Sequence, residues 1–228
     1  MANPSAAWRA GHPWATVYDF LVERESLARV LGRFTFGTDA GLLYDAIDAL
    51  GELPAGSAVL DIPVGGGVAL RGLRPGQGIR YVAADISPDM LARTERVARE
   101  RGVDDQVELR EADVERLPFE DGEFDLVQSF AGLHCFPNPR KAVLEIARVL
   151  RPGADFTGSV FLTGTGLRYQ PAIMGGRLAG VMGPSGTRAD LDAWLHDAGL
   201  QDVRIRLSGA IGYFSATKPG GKPGGRRR

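Results

Sequence analysis

Cysteine is almost absent from the sequence, and long apolar runs are missing altogether. Among 228 residues the one cysteine is Cys135, which excludes an internal disulfide and gives no support to a cysteine-based metal cluster. No segment approaches the roughly 18 consecutive apolar residues of a membrane span. The N-terminus lacks a basic segment followed by an apolar one, which a secretory signal would show. We therefore expect a cytoplasmic protein without a membrane span.

Histidine is also scarce, and positive charge is concentrated in the tail. The sequence has three histidines, too scattered to suggest a metal site, at His12, His134 and His196. The net charge is −1, but residues 218–228 carry five positive charges and no negative one, so residues 1–217 carry −6. A nucleic-acid-binding protein would present a basic face, so we expect no nucleic-acid partner. The tail contains only proline, glycine, lysine and arginine, and is predicted to be disordered.

Strand and helix patterns alternate along the middle of the chain. Short apolar runs predict strands at 58–60, 79–84, 106–110, 124–129 and 156–162. Helical stripes lie between them, begun by Ser87-Pro88 and by Asn138-Pro139, where a capping residue precedes a proline at the first helical position. Two final strands, 203–207 and 211–217, are close enough to form a hairpin. The alternation predicts a parallel α/β sheet with right-handed crossovers.

The first predicted strand is closed by an acid and followed at once by a glycine cluster. Asp61 closes the strand, and three glycines follow at 65–67. A glycine turn of this kind lets a ligand lie directly against peptide groups, with no side chain between them. Later strands also end at or just before a polar residue, namely Asp85, Asp113 and Ser129. Because parallel sheets bind ligands at the carboxyl ends of their strands, this alignment predicts a ligand site there.

A sheet edge lined with acids suits a ligand that contains a ribose. A carboxylate accepts hydrogen bonds from two vicinal hydroxyls at once, which makes Asp85 the natural ribose partner. It follows Asp61 by 24 positions, close to the roughly 20 residues expected between a glycine turn and the ribose acid. Asp113 could accept a hydrogen bond from an exocyclic adenine amine, with Ile86 and Val114 on the two sides of the ring.

Four motifs occur in the order that is typical of one enzyme family. They read VLDIPVGGG, VAADIS, EADVERLPFEDGEFDLV and LHCFPNPRKAVLEIARVLRPG, and the stretch that carries the resemblance is about residues 55–162. They resemble the motifs of class I S-adenosylmethionine-dependent methyltransferases, in the small-molecule branch that includes the ubiquinone and menaquinone biosynthesis C-methyltransferases. The resemblance implies a Rossmann-like α/β fold, with a seven-stranded and mostly parallel sheet, an antiparallel C-terminal hairpin, and helices on both faces.

The resemblance also implies which residues hold the methionine part of S-adenosylmethionine. Gly65 and Gly67 would face it, Asp61 would lie near its ammonium group, and Ser129 would offer backbone groups to the same end. One position departs from the family, which usually has glycine two residues after the motif acid, where this chain has Pro63. Proline donates no backbone hydrogen bond, so one possible donor to the cofactor is lost, while the glycine turn remains.

The same resemblance implies that the ends of the next two strands bind the rest of the cofactor. Asp85 would hold the ribose hydroxyls, and Ile86 would pack on the adenine. Asp113 and the backbone amide of Val114 would bind the adenine edge. No lysine or second phosphate cradle follows the glycine turn, which therefore suits a zwitterionic methionine tail better than a pyrophosphate.

Methyl transfer from a sulfonium demands little of a protein beyond positioning an acceptor in line with the methyl group. A general base helps when the acceptor is a hydroxyl or an acidic carbon, and His134, just past the fourth strand, is the candidate. The alternative is a histidine that only packs near the cofactor. His12 and Tyr18 are candidate acceptor-binding residues, because they belong to an aromatic-rich stretch at the N-terminus.

Three regions are expected around this core. Residues 1–37 are an N-terminal extension, interpreted either as a lid over the acceptor or as a cap on the core. Residues 38–217 are the methyltransferase domain, with a glycine-rich insertion at 163–186 that forms a loop or short helix. Residues 218–228 are the basic tail. Whether oxygen, nitrogen or carbon is methylated is left open by the sequence.

Two other functions fit parts of the pattern. A nicotinamide-dependent oxidoreductase also has a glycine turn after its first strand, but its G-x-G-x-x-G fingerprint would need glycine where Leu70 stands. A protein that binds S-adenosylmethionine on the same fold without transferring a methyl group would show the same motifs. Titration with NADH tests the first alternative, and transfer of a labelled methyl group tests the second.

Overall fold

The computed structural model describes residues 24–178, 182–183 and 185–220. Within them, seven strands form one sheet in the order β3-β2-β1-β4-β5-β7-β6. Neighbours among β1 to β5 pair in parallel, whereas β7 pairs antiparallel with both β5 and β6. The predicted sheet with its C-terminal antiparallel hairpin is confirmed. The strands are β1 (Ala58–Asp61), β2 (Arg80–Asp85), β3 (Val107–Glu111), β4 (Phe124–Phe130), β5 (Leu150–Phe161), β6 (Gln201–Ser208) and β7 (Ile211–Thr217).

Helices accompany the strands in the alternation that the sequence predicts. No helix in the described part of the chain is long and apolar enough to cross a membrane. Short 3₁₀ helices occur at Ala49–Glu52, Val68–Gly72, Asp104–Gln106 and Leu167–Tyr169. The α-helices of the described residues are α1 (Glu25–Thr35), α2 (Gly41–Asp48), α3 (Pro88–Arg101), α4 (Pro139–Val149), α5 (Gln170–Leu178) and α6 (Arg188–Asp197).

Alternate residues of the central strands belong to two apolar cores, one on each side of the sheet. Leu60 of β1 lies in the core that contains Ile146 of α4. Its neighbour Val59 lies in the other core, with Ile47 of α2 and Ala98 of α3. Because helices cover both faces, β1 is buried on both sides, which explains why residues 58–60 are all apolar.

The N-termini of the helices are stabilised in different ways. The side chain of Asn138 accepts a hydrogen bond from the backbone N–H of Lys141 at 3.0 Å, which caps α4 as predicted. Thr187 and Asp190 form a reciprocal capping box at α6. Ser87 holds the extended N-cap conformation before α3, but its side chain makes no cap bond. Its backbone N–H donates to Asp85 instead, so the end of β2 and the start of α3 are held together.

The fifth strand is longer than predicted. It begins at Leu150 rather than at residue 156, because Leu150 already pairs with Phe124 at the start of β4. The register then shifts, and Pro152 and Gly153 lie in the irregular stretch. A bulge accommodates residues that cannot pair regularly. Pro152 and Gly153 therefore lie after the end of α4 and inside β5, and the strand begins before them.

Candidate functional site

A cavity of about 430 Å³ lies at the carboxyl ends of the parallel strands. Its wall includes the last residue of β1, β2 and β4 (Asp61, Asp85 and Phe130) and the segment 159–161 of β5. Residues of α1 and β7 complete the wall. The predicted ligand site at this sheet edge therefore coincides with a cavity of the size that small-molecule ligands require.

The glycine turn presents bare backbone to the cavity. Gly65 lies on the wall with a φ of +56°, and a Cβ placed there would meet no atom within 4 Å. Its N–H donates to Asp85 Oδ2 at 3.0 Å, and its carbonyl accepts from the Thr94 hydroxyl at 2.8 Å. Gly66 also lines the cavity. The turn is thus anchored to β2 and α3, with space where a side chain would otherwise stand.

Asp85 is a buried carboxylate that organises the middle of the wall. Its Oδ1 accepts from the Ser87 N–H at 2.9 Å, and its Oδ2 accepts from the Gly65 N–H. Both oxygens of the carboxylate therefore take part in holding the glycine turn and the start of α3. Ile86 follows it on the wall, and Asp113 lies there beyond the end of β3.

Asp61 lies beneath the glycine turn in a buried hydrogen-bond chain. The Tyr81 hydroxyl donates to Asp61 Oδ2 at 2.5 Å, and the side-chain amide of Gln128 donates to the Tyr81 oxygen at 2.8 Å. Burial raises the pKa of Asp61 to about 7, and the charge of Asp85 adds to the rise. Hydrogen bonding with Tyr81 and Gln128 lowers the pKa but does not cancel the effect of burial. Asp61 is therefore close to half-protonated at neutral pH, and a cation bound beside it would favour the carboxylate form.

The opposite part of the wall is uncharged. Of all described residues that line the cavity, the only carboxylates are Asp61, Asp85 and Asp113, and none is a lysine or arginine. The rest of the wall comes from α1, from the segment after β4, and from β5 and β7. Its polar groups are few, and two of them, the hydroxyls of Thr38 and Tyr213, lie 3.2 Å apart.

His134 stands in this uncharged part, buried and on the wall. Its Nδ1 accepts a hydrogen bond from the Phe161 N–H at 3.4 Å, and the two rings meet edge to face with centroids 4.9 Å apart. Burial lowers the pKa of His134 to about 3, so the ring is neutral at physiological pH. With Nδ1 accepting, the proton resides on Nε2. This geometry favours a hydrogen-bond donor over a general base, which was one of the two interpretations of His134 that the sequence left open.

We expect His134→Gln to change how stability depends on pH. In the unfolded chain histidine titrates near pH 6.5, whereas folded His134 stays neutral down to about pH 3. Lowering the pH from about 7 to 5 protonates the unfolded state only, so the wild type should lose about 2 kcal/mol more unfolding free energy than the variant. Urea unfolding at the two pH values measures this. An equal loss in both proteins would mean an ordinary pKa and restore the general-base interpretation.

The structure places six of the eight predicted cofactor residues on the cavity wall: Asp61, Gly65, Asp85, Ile86, Asp113 and Val114. Gly67 is not on the wall, and a Cβ there would lie 3.3 Å from the Cα of Thr94, so this glycine lets the turn approach α3. Ser129 is fully buried beside the wall, and its hydroxyl has no hydrogen-bond partner among the described residues. His12 and Tyr18, the predicted acceptor-binding residues, lie outside the described residues, as does the tail from 221 onward.

Other wall residues were not among the predicted binding residues. Pro63, which replaces the family glycine, lies on the wall after a cis peptide bond. Cys135 also lies there, and burial raises the pKa of its thiol to about 12, so it is not a thiolate. Phe36 and Met182 reach the cavity from regions that the motifs do not cover.

Residues 60–157 match the family model described as a methyltransferase domain. The chain is 36% identical over 121 residues to an uncharacterized chloroplastic methyltransferase of Arabidopsis thaliana, covering 51% of this chain and 33% of that protein. It is 40% identical over 121 residues to the demethylmenaquinone methyltransferase of Thermus thermophilus (52% and 53% covered). It is 32% identical over 157 residues to the ubiquinone biosynthesis O-methyltransferase of Xanthomonas axonopodis (65% and 64% covered).

The chain therefore spans between 33% and 64% of the length of these relatives. Its central segment, residues 60–157, is similar to a methyltransferase domain. More narrowly, it resembles the class I S-adenosylmethionine-dependent enzymes of ubiquinone and menaquinone biosynthesis, as the motif series predicts.

Solved structures share the fold at low sequence identity. The [4+2]-cyclase SpnF has a TM-score of 0.63 at 23% identity, covering 80% of this chain and 82% of that one. Geranyl diphosphate methyltransferase in complex with GPP and sinefungin has a TM-score of 0.65 at 16% identity, covering 79% of each chain. A phosphoethanolamine N-methyltransferase of Haemonchus contortus in complex with S-adenosylhomocysteine has a TM-score of 0.74 at 17% identity. The match covers 96% of this chain and 61% of that one. These likenesses show that the chain shares its fold with these proteins.

Proposed function

We propose that the protein transfers the methyl group of S-adenosylmethionine to an uncharged small-molecule acceptor. The observation that carries this proposal is the division of one cavity wall into two chemically different parts. At the ends of β1, β2 and β3 the wall presents glycine backbone and three carboxylates. Along α1, β5 and β7 it presents uncharged side chains. A cationic ligand with a ribose suits the first part, and an apolar acceptor suits the second.

The residues of the acidic part fit S-adenosylmethionine by their chemistry. Asp85 is a buried carboxylate on the wall at the end of β2, and it would accept hydrogen bonds from the ribose hydroxyls. Asp61, buried and near half-protonation, would pair with the ammonium group. The open space beside Gly65 admits the methionine chain against the backbone. Asp113 and the Val114 amide would bind the adenine edge, with Ile86 against the ring.

The uncharged part limits the acceptor. An ionised group placed there would have no opposite charge among the described residues of that part, and burying an unpaired charge is costly. The Nε2–H of His134 and the paired hydroxyls of Thr38 and Tyr213 can bind a hydroxyl, carbonyl or amine of an otherwise apolar molecule. Such groups fix the orientation of a ligand, while apolar contacts supply most of its binding energy.

The reaction then depends chiefly on position. When bound, S-adenosylmethionine supplies an activated methyl group, so the residues of this chain need only hold the acceptor in line and exclude water. His134 would orient the acceptor by donating from Nε2, and the apolar wall formed by Phe36, Phe161 and Ile211 would keep water out. Because no ionised base lines this part among the described residues, the site favours an acceptor atom that is nucleophilic by itself.

Transfer of a labelled methyl group to fractions of a cell extract tests the proposal. We expect S-adenosylmethionine with a labelled methyl group to label a compound that partitions into organic solvent, and Asp85→Ala protein to leave it unlabelled. Label only in charged, water-soluble compounds would contradict the uncharged acceptor. Binding of S-adenosylmethionine with no labelled fraction would support the alternative of a protein that binds the cofactor without methyl transfer.

A further inference from the structure

Two segments that are distant in the sequence line the cavity and are joined to each other outside it. The first is residues 112–117, which follow β3, and residues 112–114 of this segment lie on the wall. The second is residues 134–137 between β4 and α4, all four of which lie on the wall. We call them the adenine loop and the 134–137 strip. Neither belongs to a helix or a strand, so each is positioned by individual hydrogen bonds.

Glu115 joins the adenine loop to the end of the 134–137 strip. Its Oε1 accepts a hydrogen bond from the Asn138 N–H at 3.0 Å, across 23 positions of the sequence. Its Oε2 lies 3.5 Å from Nζ of Lys141, in the first turn of α4. The two hydrogen-bonded residues directly follow Val114 and Pro137, which both line the cavity. The hydrogen bond therefore fixes one wall residue of each segment.

The backbone of Glu115 also orients the carboxylate of Asp113. The Glu115 N–H donates to Asp113 Oδ1 at 3.0 Å, and the Arg116 N–H donates to the Asp113 carbonyl at 2.9 Å. Displacement of Glu115 would release the side chain of Asp113 as well as the backbone of Val114. Glu115 itself does not line the cavity, so its effect on a ligand must pass through these two neighbours.

The far end of the adenine loop is held independently of Glu115. The Leu117 N–H donates to Glu145 Oε2 at 3.0 Å, and the Leu117 carbonyl accepts from Arg148 Nη2 at 3.0 Å. The side chain of Leu117 is buried in the core. Loss of the Glu115 side chain should therefore leave the fold intact and alter the first half of the loop, which is the half on the wall.

We propose that Glu115 is a positioning residue for the adenine of S-adenosylmethionine. This proposal rests on the function proposed above. The hydrogen bond to the Asn138 N–H would hold Asp113 and Val114 where they can bind the adenine edge. An ion pair with an exposed partner such as Lys141 contributes little. The property of Glu115 that matters is therefore an acceptor oxygen within reach of Asn138.

The preference for adenine over hypoxanthine tests this proposal by binding alone. S-Inosylhomocysteine carries a carbonyl oxygen where S-adenosylhomocysteine has the adenine amine, so it offers Asp113 no donor at that position. We expect the wild type to bind S-adenosylhomocysteine at least about tenfold more tightly, because a site built around a donor rejects an analogue that lacks it. Glu115→Ala should reduce this preference to about threefold or less. Calorimetric titration with both compounds measures the ratio of affinities, which a general loss of stability would not change.

Two conservative variants separate the reach of the side chain from its charge. Glu115→Gln keeps an acceptor oxygen at the same distance from the backbone and should retain a preference close to that of the wild type. Glu115→Asp keeps the charge but is one methylene shorter, so it should lose the bond to Asn138 and behave like Glu115→Ala. As a control, Glu120→Ala removes an exposed carboxylate from the same connection between β3 and β4, and should change neither affinity.

A preference that both Glu115→Ala and Glu115→Asp retain, even with the two affinities lowered, would overturn the proposal. So would equal binding of the two compounds by the wild type. If the wild type binds neither compound, the proposed function fails, and this inference fails with it.

Discussion

Asp85→Ala is expected to weaken S-adenosylmethionine binding by tenfold to about 100-fold. The substitution removes a buried carboxylate that would bind the ribose hydroxyls, and a hydrogen bond to a charged group is worth about 1.5–3 kcal/mol. It also removes the two acceptors that hold the Gly65 and Ser87 N–H groups, so the glycine turn would loosen. Calorimetric titration with S-adenosylmethionine measures the loss.

Two further variants show whether this loss belongs to the ribose site. Glu111→Ala removes an exposed carboxylate at the end of the neighbouring strand β3, outside the cavity, and should leave the affinity unchanged. Asp85→Asn keeps one acceptor oxygen to hold the turn and should fall between the wild type and Asp85→Ala. A folded Asp85→Ala protein with wild-type affinity would remove Asp85 from the ribose role.

The affinity for S-adenosylmethionine is expected to rise with pH, by roughly tenfold between about pH 5.5 and 7. Burial raises the pKa of Asp61 to about 7 in the free protein, so most molecules are protonated there at pH 5.5. A bound cation selects the carboxylate, and binding therefore releases a proton until the pH passes the free-state pKa. Asp61→Asn should bind at least tenfold more weakly at pH 7, with no rise. Titrations at several pH values, in buffers of different ionisation enthalpy, measure both effects.

Asp61 should also lower the stability of the free protein as the pH rises, whereas the affinity for S-adenosylmethionine rises with pH. Unfolded aspartate titrates near pH 3.8, while folded Asp61 holds its proton up to about pH 7. The stabilising effect of that proton is complete below about pH 4 and is lost as the pH rises to 7. Tyr81→Phe removes a hydrogen bond that lowers the pKa of Asp61, so it should move the midpoint of the affinity curve to higher pH. An unshifted midpoint would contradict the assignment of this pH dependence to Asp61.

The fold and the acidic part of the site could be predicted because they follow from local patterns. A glycine cluster directly after an apolar strand, and acids at the next strand ends, indicate a ligand at the carboxyl edge of a parallel sheet. Gly67 shows where the pattern is insufficient. Its φ of +84° and its close approach to Thr94 require glycine for packing, and the sequence alone does not distinguish that requirement from contact with a ligand.

The support of Asp61 depends on strand register, which the motifs do not contain. Gln128 lies opposite Asp61 on β4, and Tyr81 lies opposite Val59 on β2, so the three polar side chains share one face of adjacent strands. Combining the strand order with side-chain parity would have identified them. The uncharged part of the cavity could not be predicted in this way. Phe36 and Met182 reach it through the packing of α1 and of the segment after α5, far from the motifs in the sequence.

Titration of the protein with S-adenosylmethionine and with NADH tests the central claim most directly. The acidic part of the cavity offers carboxylates and glycine backbone, and Leu70 stands where the third glycine of a nicotinamide fingerprint would be. We predict saturable binding of S-adenosylmethionine at one site per chain, competition by S-adenosylhomocysteine, and no binding of NADH. Tight binding of NADH with no binding of S-adenosylmethionine would contradict the account.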